Sequence, residues 1–265
     1  DGLARVVNER GVTIHENSPV MSMAAHSVRT DRANITARSV LVCTEGYTVT
    51  LPRRRREVVP LYSLMIATEP LSDDQWNEIG LAERTTFSDH RNLIIYGQRT
   101  ADGRLAFGGR GAPYHFGSRI ADSFDTNESV KDHLITELRT LFPPLAKTAI
   151  THHWGGPLAI PRDWTFSVGY DPVSGIGRAG GYVGDGVATS HLAGRTLADL
   201  VLGRESPRLL LPFVGHTSRN WEPEPFRWAA INGMARLAAR MDRLEAQGRR
   251  PSGLLRSLID RVTGS

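Results

Sequence analysis

Cysteine is nearly absent from this chain, and so is lysine. Cys43 is the sole thiol in 265 residues. A single thiol excludes an internal disulfide and a cysteine-built metal cluster, and no metal site is expected. The run Val40-Leu41-Val42-Cys43 predicts a thiol buried in a strand rather than a nucleophile. A reducing, cytoplasmic setting is consistent with that usage. Lys131 and Lys147 are the two lysines, and the other thirty basic residues are arginines. No apolar run is long enough to span a membrane, and the opening stretch has no signal-peptide pattern. The first residue is Asp1, not Met, which fits a fragment or a processed product. Internal repeats and low-complexity segments are missing too.

What is present fits a globular protein: 40% apolar and 23% charged residues, with a net charge of +4. The length allows one large domain or two interleaved ones. Arg53 to Arg56 look at first like a nucleic-acid patch. No aromatic residues alternate with them and Glu57 follows at once, so the run reads as a solvated loop or an inter-domain ion-pair cluster, with no nucleic-acid partner.

Periodicity divides the chain. Leu3 to Glu9 read as the end of a helix stopped by Gly11. Val12-Thr13-Ile14-His15 predicts a short strand. Further strands follow at Val20 to Met23, Val28 to Thr30, Ile35 to Ala37 and Val40 to Cys43. The near-continuous apolar Val40-Leu41-Val42 suits a parallel sheet covered on both faces, with Thr44-Glu45-Gly46 at its carboxyl end, where ligands lie in such sheets. From Val58 the texture becomes antiparallel: Val58 to Thr68 alternates, and Asp102-Gly103 marks a hairpin between Leu93–Gln98 and Arg104–Gly108. Asp125 and Glu128 predict a helix start, with Val130, Leu134, Leu138, Leu141 and Phe142 along one face. A strand returns at Ile150 to Leu158.

Gly175 to Gly180 spell G-x-G-x-x-G, yet a turn precedes the string and more glycine follows it. The strand and helix that a dinucleotide fingerprint needs are absent. The stretch that does have that context is Gly180-Gly181-Tyr182-Val183-Gly184-Asp185-Gly186-Val187. Behind it Val187, Leu192, Leu197, Leu200 and Val201 trace a helical apolar side, and Gly203 stands where a C′ glycine belongs. The unit reads as strand, glycine turn, helix, with free N–H groups and a positive dipole end facing whatever fills the turn. The same spacing also serves a plain packing turn. In the tail, Ala230, Met234, Leu237, Met241 and Leu244 recur at three and four. They predict a helix that packs on the body, mediates a dimer or lies on a membrane; packing on the body is the default, and Asp242 and Glu245 argue against the membrane.

The order of these segments resembles the FAD-dependent oxidoreductases of the D-amino-acid oxidase and glycine oxidase group, in its gamma-glutamylputrescine-oxidoreductase-like branch. The segments that carry the likeness are a helix end plus the Val-x-Ile strand at Val12, Val-Leu-Val-Cys-Thr-Glu-Gly, an antiparallel insert, Trp154-Gly155-Gly156, and Gly181-Tyr182-x-Gly184-x-Gly186-Val187 leading into Leu192-Ala193-Gly194-Arg195. It runs from about Leu3 to Gly203. The resemblance implies an α/β (α+β) fold: a Rossmann-like FAD-binding domain, incomplete at its N-terminus, interleaved with an antiparallel substrate domain. The implied boundaries are 1–57 and 165–203 for the FAD domain, 58–164 for the substrate or cap domain and 204–265 for a helical extension. Family members open with a strand and a G-x-G-x-x-G turn. This chain lacks both, so roughly the first third of the architecture is expected to be missing, about one domain's worth of chain. A complementing N-terminal segment or a homo-oligomer is the expected partner.

The implied cofactor is FAD and the implied substrate a small amine or amino acid. By resemblance the cofactor contacts are Val20 at the adenine end, Thr44, Glu45 and Gly46 near the ribose and pyrophosphate, and Gly181, Tyr182, Gly184, Asp185, Gly186 and Val187 at the flavin. Substrate-side candidates are Arg110, which would grip a carboxylate or else merely close a hairpin, Tyr114 and Trp154. Glycine oxidases carry an arginine just after Trp-x-Gly; here Pro157-Leu158 follow, which favours an amine or a longer substrate. His152 and His153 alternate along a strand, so at most one faces the pocket, and no general base is assigned.

Overall fold

In the computed structural model, which describes residues 2–109, 111–249 and 253, strand-forming alternation and helix caps divide the chain into sixteen main elements. They run α1 (Gly2–Glu9), β1 (Val20–Ala24), β2 (Ser27–Thr30), β3 (Asn34–Thr36), β4 (Val40–Val42), β5 (Val58–Thr68), α2 (Asp73–Ile79), β6 (Phe87–Ser88), β7 (Ile95–Arg99), β8 (Leu105–Gly109), α3 (Glu128–Leu141), β9 (Ile150–Pro161), β10 (Ser167–Asp171), β11 (Ile176–Gly180), α4 (Gly186–Leu202) and α5 (Phe226–Ala246). Three sheets result, in the orders β1-β2-β3, β10-β11-β4 and β6-β7-β8-β5-β9. The β4–β11 pair is parallel, as the apolar Val40-Leu41-Val42 predicts, and every pairing of the five-stranded sheet is antiparallel. The rejected G-x-G-x-x-G string is strand β11 itself, hydrogen-bonded on both sides.

The largest core lies on one face of the five-stranded sheet. Ile66 of β5 and Leu105 and Phe107 of β8 meet Leu134 and Leu138 of α3 and Trp76 of α2, and all are buried. Sequence reading passed over α2. Its signal was there: Ser72 caps it, with Gln75 reciprocating in a capping box. Helix α3 starts two residues later than the Asp125 reading, because the Asn127 side chain accepts from Val130 N at 3.1 Å and is the cap. A second core joins Val168, Ala179, Ala193, Leu197 and Phe213, seating α4 on β10 and β11.

Two expectations fail locally. Val12 to His15 form no strand; Val12 and Ile14 are exposed, because no strand among the described residues offers them a ladder and a lone strand is not self-supporting. Cys43 is exposed rather than buried, because β4 ends at Val42 and the chain leaves the sheet there for the 3₁₀ turn Glu45–Thr50.

The tail is fastened to the body by polar anchors. Trp221 donates from Nε1 to Ile160 O and from its backbone N to Arg56 O, both at 2.8 Å. Asp242 on α5 accepts from Asn92 N and Leu93 N, each at 2.9 Å. Buried Arg227 pairs with Glu224 at 3.2 Å. None of the helices in the described residues is long and apolar enough to cross a membrane.

Candidate flavin-edge site

Strand β11 delivers the chain into the glycine turn, and backbone conformation decides its sequence. Gly181 has φ +83° and sits against Pro161, whose Cγ would lie 2.5 Å from a Cβ. Gly184 has φ +107°, a region that side chains rarely adopt. Helix α4 then begins at Gly186. Asp185 occupies the cap position but gives no side-chain cap, and no acidic residue stands in the first turn. The first N–H groups of α4 and its positive dipole end therefore face outward at an open surface. Gly184, Asp185 and Val187 are exposed. Val187, expected on the packed side, is instead 96% exposed; the helix seats itself through Ala193 and Leu197, about two to three turns further on.

Glu45 holds the turn from behind. It lies at positive φ, and its carboxylate accepts from Gly181 N at 2.8 Å, Tyr182 N at 3.3 Å and Ala159 N at 3.2 Å. One side chain thus links the end of β4, the glycine turn and β9. Desolvation by burial pushes its carboxyl above the ordinary value, against the pull of the three amides. Burial, with Cys43 and Glu45 close by, also pushes the Tyr182 phenol up to about 12. Gly46 is glycine because a Cβ there would lie 2.4 Å from Pro157 O. Thr44 Oγ1 bonds Thr48 Oγ1. Val20 opens β1 opposite Thr30, on a separate sheet.

Register identifies the face of the five-stranded sheet that looks toward the turn. Met65 lies opposite Trp154, Ser63 opposite Gly156 and Leu61 opposite Leu158, so all six share one face. Leu158 Cδ1 lies 3.4 Å from where a Gly184 Cβ would be. Trp154 is 41% exposed on that face. Tyr96 joins it from β7, opposite Gly108, with its hydroxyl bonded to Ser63 Oγ. Sequence reading missed Ser63, Met65 and Tyr96; the alternation of β5 was visible, but not which parity faces the turn. His152 shares the Trp154 parity. His153 has the other, and its Nε2 is buried without a partner; desolvation holds its pKa below the ordinary value.

Tyr114 is 2% exposed, with its hydroxyl bonded to Ser118 and Glu224, and packs with Val59, Ile160 and Trp221 beside Leu61 and Leu158. Arg110 lies outside the described residues. No group of three or more potential metal ligands occurs among the described residues.

Residues 1–200 match the family model described as FAD dependent oxidoreductase. This chain belongs to that family. It is similar to the probable oxidoreductase OrdL of Haemophilus influenzae, 30% identical over 211 residues, which are 76% of this chain and 46% of that protein. It is likewise similar to the gamma-glutamylputrescine oxidoreductase of Escherichia coli, 29% identical over 76% of this chain and 46% of the other. Among solved structures, glycine oxidase from Geobacillus kaustophilus matches with a TM-score of 0.65 at 21% identity, covering 80% of this chain and 55% of that one. L-proline dehydrogenase from P. horikoshii matches at 0.64 and 17%, covering 78% and 55%. The chain spans about half the length of the curated relatives it matches. The family's cofactor is FAD, and the neighbours share this mixed helix-and-sheet fold.

Proposed function

We propose that this chain supplies the flavin-edge and substrate-side half of an FAD-dependent oxidoreductase that acts on a C–N bond of an amine or amino acid. The observation that carries the reading is the uncapped N-terminus of α4 behind the Gly184–Gly186 turn, with the Trp154 face of the sheet beside it. A turn that offers N–H donors, braced from behind by Glu45 and free of acid in the first helical turn, suits the pyrimidine edge of a flavin. FAD, when bound, supplies the hydride acceptor.

The chain's own residues do the rest. The α4 amides and dipole favour negative charge at the edge they face. Gly184 leaves bare backbone at the exposed corner for a flat ring, and Val187 gives it an apolar neighbour. Tyr182, protonated through the neutral range, stays a donor. On the substrate side Trp154 and Met65 form an apolar wall, and the Ser63–Tyr96 hydroxyl pair offers a polar contact that binds and orients without carrying charge. With Pro157-Leu158 where glycine oxidases hold their arginine, that wall favours an amine or a longer substrate over a free α-amino acid.

The test is titration of the whole chain with FAD, followed by flavin absorbance and fluorescence. Saturable uptake that is lost in Gly184→Val supports the reading, and failure to take up flavin overturns it. Where uptake occurs, turnover of gamma-glutamylputrescine, glycine and L-proline ranks the substrate class; Trp154→Ala is expected to raise KM about tenfold, the loss of one well-packed aromatic contact.

A second reading is favoured by one observation. Among the described residues, strand β4 is paired on a single side, to β11, and Leu41 is 45% exposed. In that reading the chain completes its sheet with a complementing segment or a second copy before it binds anything.

A further inference from the structure

The arginine run has no part in the flavin-edge reading, and the structure gives it another setting. Arg54 lines a cavity of about 360 Å³ together with Arg178 of β11 and Arg219 of the tail. Gly180 and Gly181 also line it, so the cavity borders the glycine turn, and Arg178 enters it from the side of β11 away from α4. Gly177 and Ala179 point toward α4, since a Cβ on Gly177 would meet Leu197 and Ala179 packs in the same core. Arg178, between them, points to the opposite side of the sheet. The wall formed by residues 217–220 also lies beyond residues 1–200, the part that matches the family model.

Charge in the cavity is one-sided. Glu57 is its one acidic lining residue, and Arg54 already holds it at 3.0 Å. Three guanidiniums against one carboxylate leave two positive charges. Behind the lining, Arg162 pairs with Glu222 at 3.1 Å, and the carboxylates of Asp163 and Glu45 are held by Thr165 N and Gly181 N, so the surplus belongs to the lining groups alone. Arg219 reaches the same Glu222 at 3.5 Å while its side chain stays 70% exposed, so it is loosely held. Arg178 donates from Nη2 to His216 O at 2.8 Å and to Thr217 Oγ1 at 3.1 Å, yet its Nε is buried with no acceptor. A buried donor without an acceptor is costly, and charged donors more so. The Ser167 hydroxyl on the same wall is engaged by none of the hydrogen bonds among the described residues.

We propose that this cavity binds a phosphate group, either inorganic phosphate or a small phosphomonoester. A dianion suits a lining in which guanidinium donors outnumber carboxylates three to one. Its oxygens, set tetrahedrally, accept from guanidinium groups that approach from three separate segments, which a planar carboxylate does less well. The site joins the end of the arginine run, the middle of β11 and the tail, so occupancy ties the tail to the flavin-binding sheet.

The probe is inorganic phosphate at matched ionic strength, added to the full chain and followed by thermal denaturation and calorimetry. A ligand that binds the native state raises the midpoint with its concentration. Saturable stabilisation of the parent chain is expected. Arg219→Gln should weaken phosphate about tenfold, the loss of one charge-assisted contact, and Arg139→Gln on the exposed side of α3 should leave binding unchanged. Because Arg178 also holds residues 216 and 217, Arg54→Gln serves as the second variant. Equal stabilisation of every variant, no saturation, or succinate binding as tightly as phosphate overturns the proposal. So does a phosphate effect abolished by FAD, because it places the anion in the cofactor crevice. Free phosphate and a sugar phosphate are told apart by which of them binds more tightly.

Discussion

Glu45 is the residue on which the cofactor side depends. It is a half-buried carboxylate with three backbone amides and, among the described residues, no cation paired to it. Glu45→Ala leaves those amides without an acceptor and is expected to cost about 3 kcal/mol in urea denaturation. Glu45→Gln keeps an accepting oxygen and should cost less. Burial raises the folded pKa of Glu45, so its contribution is fully present below the ordinary carboxylate range and is lost as pH rises through the raised value. Denaturation midpoints of the parent should therefore fall relative to Glu45→Gln as pH climbs through that window; a constant difference would show that Glu45 does not titrate with folding. None of this was legible in Thr44-Glu45-Gly46. The motif located the residue at a strand end, whereas its partners on β9 and the glycine turn lie more than a hundred residues away in sequence.

At the scale of elements, the turn and α4 separate backbone strain from ordinary helix propensity. Gly184→Ala forces a side chain into φ +107° against Leu158, and should cost about 1–3 kcal/mol while leaving far-UV dichroism intact and reducing flavin uptake. Gly194, within α4 with open space at its Cβ position, is the counterpart: Gly194→Ala should stabilise by about 1 kcal/mol with flavin uptake unchanged. Elements were the most readable level. Strand β5 matches its period-two run from Val58 to Thr68, the Asp102-Gly103 hairpin joins β7 to β8, and Gly203 ends α4 in the left-handed conformation. The misses have physical causes. Val12 to His15 has strand composition without a neighbour, and α2 announces itself by its cap rather than by a long apolar face.

On the scale of the whole molecule the tail is an integral part of the body. Glu224 gathers Tyr114 Oη at 2.7 Å, Gly117 N and Trp228 N at 2.9 Å, and Arg227 at 3.2 Å. Desolvation pushes its carboxyl up, but these donors outweigh it and the net shift is downward. A lowered folded pKa gives stability that is present above the ordinary carboxylate range and lost as pH falls through the depressed value. Acidification should therefore loosen the tail, seen as faster hydrogen exchange along α5 and a change in Trp221 emission. Glu224→Gln should show part of that loosening already at neutral pH. The sequence predicted that the tail packs on the body, but Trp-Glu-Pro-Glu-Pro did not reveal that Trp221 and Glu224 are its anchors, because each reaches partners far away in sequence, Ile160 and Arg56 for Trp221, Tyr114 and Gly117 for Glu224.

The one-sided pairing of β4 has a geometric corollary. Two identical chains related by a twofold axis would join their β4 margins in opposite directions, giving a seam of mixed sense. A graft that instead extends the β4–β11 direction has to come from a non-equivalent stretch of polypeptide. Isotope-edited infrared spectra of a labelled Val40–Val42 would distinguish the two geometries, and so reveal whether self-association or foreign chain closes the sheet.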